Sequence, residues 1–351
     1  MNAAIRAATL LAISRNWEVV GIQQGYRGLI GGDLVPITAG DVGGIIREGG
    51  TILGSARCPE FHQPQVRQEA RALLRREGIG ALLVIGGNGS LAGAEALSNP
   101  AEAGNGPLQV VGVPASIDND IGLTGLAIGV DTAMNTIVEA CDKISDTATA
   151  HDRTFLVEVM GRDCGYLAMV AAIAAAADAV LFPEAERNER EIVDTVERAI
   201  RRVRERKKRR KRVVVIKAEG VPISVERLKQ LVDERLSTPG ASGDAIETRV
   251  TVLGHVVRGG RPSAFDRLLA SRLAGVAVRA LIAGDTRKMA AWMTPLAPPA
   301  DVGTRSRDDP YCWLMSLEAV LEETSKLLSH DSALAQWRAR VLDEIEGILT
   351  L

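Results

Sequence analysis

The feature that most restricts the fold of this chain is a repeated alternation of short apolar runs with longer helical patterns. ALLVIGG (81–87) and LQVVGVP (108–114) are almost unbroken apolar runs that stop at Gly or Pro, as strands buried on both faces do. WEVVGI (17–22), RTFLVEVMG (153–161), AVLFP (179–183) and RVVVIKAEG (212–220) read as further strands. Helical patterns separate or follow them at 68–78, 91–98, 132–148, 164–178, 188–207, 223–236 and 263–283. Strand–helix–strand repetition predicts parallel sheets covered by helices. Over 351 residues it predicts an α/β protein of two doubly wound, mostly parallel sheets. Ligands of such proteins bind beyond the carboxyl ends of the strands, so the active site is expected in the interdomain cleft.

Composition removes several classes. Forty-two basic residues against 44 acidic ones give a net charge of −2, so bulk charge predicts neither a nucleic-acid partner nor a membrane surface. Aromatics at 3% supply no stacking platform for single strands. Cys58, Cys141, Cys164 and Cys312 lie far apart with no C-x-x-C pair, and read as reduced thiols of a cytoplasmic protein. MNAAIRAATLLAIS has one Arg and no basic leader, which fits an amphipathic helix better than a signal peptide. CGYLAMVAAIAAAADAVLF (164–182) is Ala-rich and carries Asp178, which fits a buried crossover helix better than a membrane span. The basic run RAIRRVRERKKRRKR (198–212) is expected to be a solvated helix end rather than an anion-binding patch. From Trp313 onward, WLMSLEAVLEETSKLL and ALAQWRARVLDEIEGIL are expected to be amphipathic helices, a packing or oligomer arm without chemistry of its own.

Five strand ends carry residues of chemical interest. In LLVIGGNGSLAGAEAL (82–97) a strand runs into Gly-Gly-Asn-Gly-Ser and then a helix, with Ser90 the expected cap and free N–H groups pointing toward an anion. PASIDND (114–120) sets Asp118 and Asp120 two positions apart, as a proton acceptor and a metal ligand would be, although an Asx-rich turn explains the same letters. VEVMGRDCGYLA (157–168) delivers Arg162 to a strand end, where a guanidinium can neutralise a transferring phosphoryl group. IKAEG (216–220) places Glu219 where a carboxylate can bind sugar hydroxyls. ETRVTVLGHVVRGGRPSAFDR (247–267) offers Arg249, His255 and Arg258, a set suited to a phosphate monoester. Singly, each is as well explained by surface ion pairing. Together they fit phosphoryl transfer between a polyphosphate and a phosphorylated small molecule.

GGNGS, PASIDND, VEVMGR, the AEG glutamate and TVLGHVVRGG stand in the order of the 6-phosphofructokinase family, and the chain resembles the bacterial ATP-dependent type over roughly residues 1–290, GGTILGSARCPEF (49–61) and MNAAIR (1–6) included. The resemblance implies an ATP-dependent kinase acting on the 1-hydroxyl of fructose 6-phosphate with Mg²⁺, in glycolysis. It implies Asp118 as the base, Ser116 as the hydroxyl beside the transferring phosphoryl and Arg162 as the cation that steadies it. It assigns Met160, Gly161 and Glu219 to the sugar, and Arg153, Arg249, His255 and Arg258 to its 6-phosphate. Arg57, Cys58, Gly87, Asn88, Gly89 and Ser90 fall on the nucleotide side, with Asn88 and Asp120 placing Mg²⁺. Some 6-phosphate ligands come from a neighbouring subunit in the family, which implies a homotetramer, or a homodimer. The implied domains are 1–129 plus 257–303 for the nucleotide, and 130–256 plus 304–351 for the sugar phosphate.

Within the family, pyrophosphate-using members put Asp and Lys where this chain has Gly89 and Ala115, so both positions favour ATP. Three departures accompany the resemblance. The sequence begins at the helix after the family's first strand, without its Gly-Gly-Asp-x-Pro-Gly loop; a start codon assigned too late is the expected reason, an impaired or regulatory copy the alternative. Asn88 replaces an Asp, which predicts weaker Mg²⁺ binding. Leu10 and Glu48 stand where the bacterial effector site has Arg, which weakens the implication of allosteric control by ADP or phosphoenolpyruvate.

Overall fold

The structure is a computed structural model that describes residues 1–103, 108–205, 212–237, 247–293, 303–307, 309–338 and 340–341. In chain order the elements are α1 (Asn2–Ser14), β1 (Val20–Ile22), α2 (Tyr26–Gly31), β2 (Leu34–Pro36), α3 (Pro64–Arg76), β3 (Ala81–Gly86), α4 (Asn88–Ser98), α5 (Pro100–Ala103), β4 (Gln109–Pro114) and α6 (Val130–His151). They continue with β5 (Thr154–Val159), α7 (Tyr166–Ala174), β6 (Ala179–Leu181), α8 (Glu189–Glu205), β7 (Val213–Ala218), α9 (Val225–Leu236) and β8 (Thr248–Val252). Last come α10 (Ala264–Ile282), β9 (Lys288–Trp292), β10 (Gly303–Arg305), β11 (Cys312–Ser316) and α11 (Leu317–Leu328). The α/β class with parallel sheets is as expected.

The chain divides into two compact units. The first holds Met1–Ile117, Ile121–Asp131 and Gly260–Ser325. Its main sheet has the order β10-β11-β9-β4-β3, with β3, β4 and β9 parallel, β11 antiparallel to β9 and β10 antiparallel to β11. β1 and β2 form a separate antiparallel pair. The core lies where α1 and α10 cover this sheet, with Ala3, Ala4, Leu273, Ala274 and Ala277 packed on Val111, Val113 and Ala290. Small side chains there let the helices approach closely, and burial of this apolar surface drives the packing.

The second unit holds Asp118–Asp120, Thr132–Gly259 and Lys326–Leu351. Its sheet is wholly parallel, in the order β6-β7-β5-β8. Every residue of β7 is buried, including Lys217, whose Nζ donates to Glu158 Oε2 of β5 at 2.8 Å and to the Ala218 carbonyl at 3.1 Å. Removing Glu158 would leave the buried Lys217 charge uncompensated, so this pair supports the register of the two strands that lead to Arg162 and Glu219.

Four expectations are corrected. β3 sits at a sheet edge, and its residues 81–85 are only half-buried rather than covered on both faces. Residues 312–316 form a strand, not the start of a helix, because CWLMS pairs antiparallel with β9 and the helix begins at Leu317. For the same reason β10, β11 and most of α11 belong to the first unit instead of the second. The three residues Asp118–Asp120 cluster with the second unit although their neighbours on both sides belong to the first.

The four cysteines are free thiols. Among the described residues no helix is long and apolar enough to cross a membrane. The described part of the basic run ends α8, where Arg201 pairs with Glu197 one turn away, as a solvated helix end would; residues 206–211 of the run lie outside the described residues.

Candidate active site

In the first unit Gly87, Asn88, Gly89, Ser90 and Ser116, expected beside the donor, follow the ends of β3 and β4. Parallel pairing sets Gly86 level with Pro114, and the Ala115 N–H donates to the Gly86 carbonyl at 2.9 Å. The turn after β3 is tight: a Cβ at Gly86 would lie 2.4 Å from Ser90 Oγ, which is why glycine stands there. Gly87, not Ser90, is the N-cap of α4; its carbonyl accepts the N–H groups of Ser90 and Leu91, and Ser90 lies in the first turn. The N–H groups of Asn88 and Gly89 lead the helix, at the pole where an anion is favoured. Ser116 is beside the loop, its Cβ 3.7 Å from where a Cβ of Gly87 would be. Around Gly89 the same construction meets nothing within 4 Å, so that side of the loop is open.

Cys58 packs with Tyr26 in the small cluster built on Phe61, and the Tyr26 hydroxyl donates to the Ser90 carbonyl at 2.6 Å. Burial and the nearby Glu60 push the Cys58 thiol up, so it is a packing group rather than a reactive thiolate. Arg57 is exposed on the same loop. Leu10 packs against the cluster of Ile5, Ile37, Val42 and Ile45, so the side chain at this position serves the core.

The second unit carries Asp118, Asp120, Arg162 and Glu219. Asn119, in the left-handed region at φ 51° and almost fully buried, turns the chain between Asp118 and Asp120. Asn accepts this conformation more readily than most residues. The Asp118 carboxyl is pushed up to about 6, mainly by burial and then by the charge of Asp120, with Glu219 and Asp163 adding to it and Arg258 opposing it. Those residues thus lie within electrostatic reach of one carboxylate. Asp118 Oδ1 is buried with no hydrogen-bond partner, an acceptor held ready for a group the protein does not itself supply.

β5 and β7 deliver the rest. The Glu219 N–H donates to the Val159 carbonyl at 2.9 Å and the Gly220 N–H to the Gly161 carbonyl at 3.1 Å, so the two strand ends are stitched together. Gly161 has φ 128°, and a Cβ there would lie 2.5 Å from the Cys164 carbonyl oxygen. Met160 is buried, and its sulfur accepts from Arg258 Nε at 3.3 Å. Arg162 and Glu219 are exposed at the same strand ends, with His255 and Arg258 on the short 3₁₀ turn Gly254–Arg258.

Two residues expected in the 6-phosphate socket lie elsewhere. Arg153 precedes β5 and Arg249 is the second residue of β8, and both pair with Glu247. They stand at the amino ends of parallel strands, whereas Met160 and Glu219 follow the carboxyl ends. Six residues of β5 separate the two ends, about 17 Å at the usual rise. Within one copy of the chain, Arg153 and Arg249 are thus a strand length away from Met160 and Glu219.

Sequence reading overlooked Asp163, which acts on Asp118, and the Lys217–Glu158 pair. It also overlooked Glu184, whose carboxylate accepts the Gly165 N–H at the start of α7. Lys217 was hidden by its setting in a strand otherwise made of apolar residues; Asp163, two residues before Gly165 on the same loop, was visible as a charge but not as a neighbour of Asp118.

For a metal, the donor set is sparse: among the described residues no group of three or more His, Cys, Asp or Glu converges. Mg²⁺ keeps several waters and takes one or two carboxylates plus substrate phosphates, so its fit rests on the carboxylates of the 118–120 turn. Asp120, whose charge helps raise the Asp118 carboxyl, is the carboxylate of that turn that fits such an ion.

The first unit carries a helix N-terminus that favours an anion after β3, and the second carries a raised carboxyl with exposed cations at its strand ends; each is a feature of an α/β phosphotransferase acting on a hydroxyl group. A sequence profile described as phosphofructokinase matches residues 1–281, and the chain belongs to that family. It is 45% identical over 288 residues to the ATP-dependent 6-phosphofructokinase of Staphylococcus epidermidis, covering 82% of this chain and 84% of the relative. The Staphylococcus aureus protein of the same name is 44% identical over the same shares. Phosphofructokinase from Pichia pastoris in the T-state superposes with a TM-score of 0.84 at 31% identity, covering 99% of this chain and 38% of that longer one. A pyrophosphate-dependent phosphofructokinase from Nitrosospira multiformis, at 18% identity and TM-score 0.75, shares the fold.

Proposed function

We infer that this chain is an ATP-dependent 6-phosphofructokinase, transferring the γ-phosphoryl group of ATP to the 1-hydroxyl of fructose 6-phosphate. One observation carries the mechanism: the buried Asp118 carboxyl, raised to about 6 among Asp120, Glu219 and Arg258. A carboxylate with that affinity for protons is still ionised at neutral pH, yet takes a proton from an attacking hydroxyl far better than an ordinary aspartate. Glu219, Met160, His255 and Arg258 orient the sugar so that its hydroxyl faces Asp118. Arg162, the leading N–H groups of α4 and the Ser116 hydroxyl meet the charge on the transferring phosphoryl. Asp120 and Asn88 are the residues that would hold Mg²⁺, which when bound neutralises charge on the donor phosphates. Arg153 and Arg249 serve the 6-phosphate of a neighbouring copy, which makes the working form a homodimer or homotetramer. The cytoplasm, where both substrates of glycolysis occur, is the compartment this reading requires.

ATP is favoured over pyrophosphate by the identity to ATP-dependent relatives and by the open side of the loop at Gly89. The test is a side-by-side donor assay with fructose 6-phosphate and Mg²⁺, run on the wild type and Asp118→Ala. ATP is expected to support turnover at least tenfold better than pyrophosphate. Loss of the general base should lower kcat by about 10² to 10⁴ without lowering the melting temperature. Near-normal turnover in Asp118→Ala would end the mechanism.

A further inference from the structure

The C-terminal segment carries an arginine that reaches the turn between the two acidic residues. Residues 333–338 are helical. Ser332 caps this turn, its Oγ accepting the Ala335 N–H at 3.0 Å. Ser332, Ala335 and Arg338, three residues apart, are all buried, while Trp337 on the other face is 54% exposed. Arg338 Nη1 donates to Cys164 Sγ at 3.2 Å, Nη2 donates to the Asn119 carbonyl at 3.5 Å, and the guanidinium lies over the Tyr166 ring at 4.7 Å. The Cys164 thiol points at the same Asn119 carbonyl from 3.9 Å.

Asn119 is the one residue between Asp118 and Asp120, and it is the left-handed one. A rotation of its peptide would swing both carboxylates. Burying a guanidinium is expensive, and its hydrogen bonds here go to a thiol and a main-chain carbonyl rather than to a carboxylate. A hydrocarbon side chain would fill the space with less desolvation. What the arginine adds is a planar fork that fixes one carbonyl and one ring at defined angles, besides a positive charge behind a turn that bears two negative ones.

We propose that Arg338 is a positioning residue for phosphoryl transfer, holding the Asp118–Asn119–Asp120 turn from behind through the Asn119 carbonyl, Cys164 and Tyr166. The C-terminal helical turn then acts on the reaction without touching substrate. This rests on the assignment of Asp118 as base and Asp120 as metal residue.

The test compares full-length wild type, Arg338→Ala and Arg338→Lys in two ways. Hydrogen–deuterium exchange without substrates should show amides of 117–122 exchanging at least tenfold faster in Arg338→Ala, with 213–218 unchanged. Steady-state kinetics should show kcat down at least tenfold with the KM for fructose 6-phosphate within about twofold, since the sugar contacts lie on other strand ends. Added guanidinium ion should recover part of the lost kcat, and Arg338→Lys, which keeps the charge without the fork, should stay impaired. Wild-type exchange at 117–122, or wild-type kcat, in Arg338→Ala overturns the proposal. If that variant does not fold, Arg338→Lys takes its place in both measurements, and wild-type values there overturn it equally. A wild type that fails to phosphorylate fructose 6-phosphate would remove the functional assignment instead, while the exchange comparison still decides whether Arg338 holds the turn.

Discussion

Arg153 and Arg249 close on the same carboxylate, that of Glu247, at the amino ends of β5 and β8. Met160 and Glu219 follow the carboxyl ends of the same sheet. The length of the sheet thus separates these two arginines from Met160 and Glu219, residues that the proposed function uses for the same sugar phosphate.

A second copy of the chain resolves the separation, and this is open to a complementation test. Asp118→Ala and Arg249→Ala are each expected to be nearly inactive at low fructose 6-phosphate. Unfolded together and refolded as a mixture, they should regain activity, because a hybrid carries one site with both native residues. For a two-fold dimer assorted at random, half the molecules are hybrids with one intact site of two, which gives about one quarter of wild-type activity. Activity no greater than the sum of the separate variants would place the arginines in their own chain's site.

The raised carboxyl of Asp118 has consequences for both rate and stability. Activity requires the ionised base, so kcat/KM should fall as pH drops below about 6. For stability the sign follows from the direction of the shift. A carboxyl held above its ordinary 3.8 in the folded state costs nothing at low pH, where both states are protonated, and opposes folding at higher pH, where the unfolded chain ionises more readily. Asp118→Asn should therefore stabilise the protein at pH 8, by on the order of 2–3 kcal/mol in buffer free of divalent cations. The gain should shrink as pH falls through 6 and vanish below 4. A pH series of urea midpoints for the two proteins reads this directly, and a gain that does not depend on pH would contradict the cause assigned to the shift.

The parallel strands β3, β4, β5 and β7 were legible within two residues because each is apolar and ends in Gly, Pro or a charge. Their ends brought the motifs with them, so Gly87–Ser90, Ser116, Asp118, Arg162 and Glu219 were found where strand ends require. What escaped was set by tertiary pairing. β11 has the composition of a helix start and becomes a strand only because β9 lies alongside. Lys217 carried no signal of its own within an apolar strand, and its pairing with Glu158 is a fact of the neighbouring strand. Arg338 lies 219 residues from Asn119, a distance over which no spacing rule operates.

The donor choice can be tested where the loop is open. With nothing within 4 Å of the missing Cβ at Gly89, a side chain there needs no rearrangement of the protein and would enter space available to the donor. Gly89→Asp combined with Ala115→Lys should leave the melting temperature within a few degrees. It should raise the KM for ATP at least tenfold, since an added carboxylate repels the donor's phosphates and both side chains take up volume. Use of pyrophosphate should change far less. An unaltered KM for ATP would show that the donor approaches from another side.

Asn88 gives the last prediction. It begins α4, directly after the Gly87 cap, and its carbonyl oxygen is buried. On the proposed function, Asn88 and Asp120 are the residues that would hold Mg²⁺. A neutral amide oxygen attracts Mg²⁺ less than a carboxylate does. Asn88→Asp should lower the Mg²⁺ concentration needed for half-maximal velocity several-fold at fixed ATP. The added negative charge also sits at the positive end of a helix, where it is favoured, so folding should not suffer. The decisive comparison is a Mg²⁺ titration of initial velocity for the two proteins at pH 8; coincident curves would show that the residue at 88 does not meet the metal.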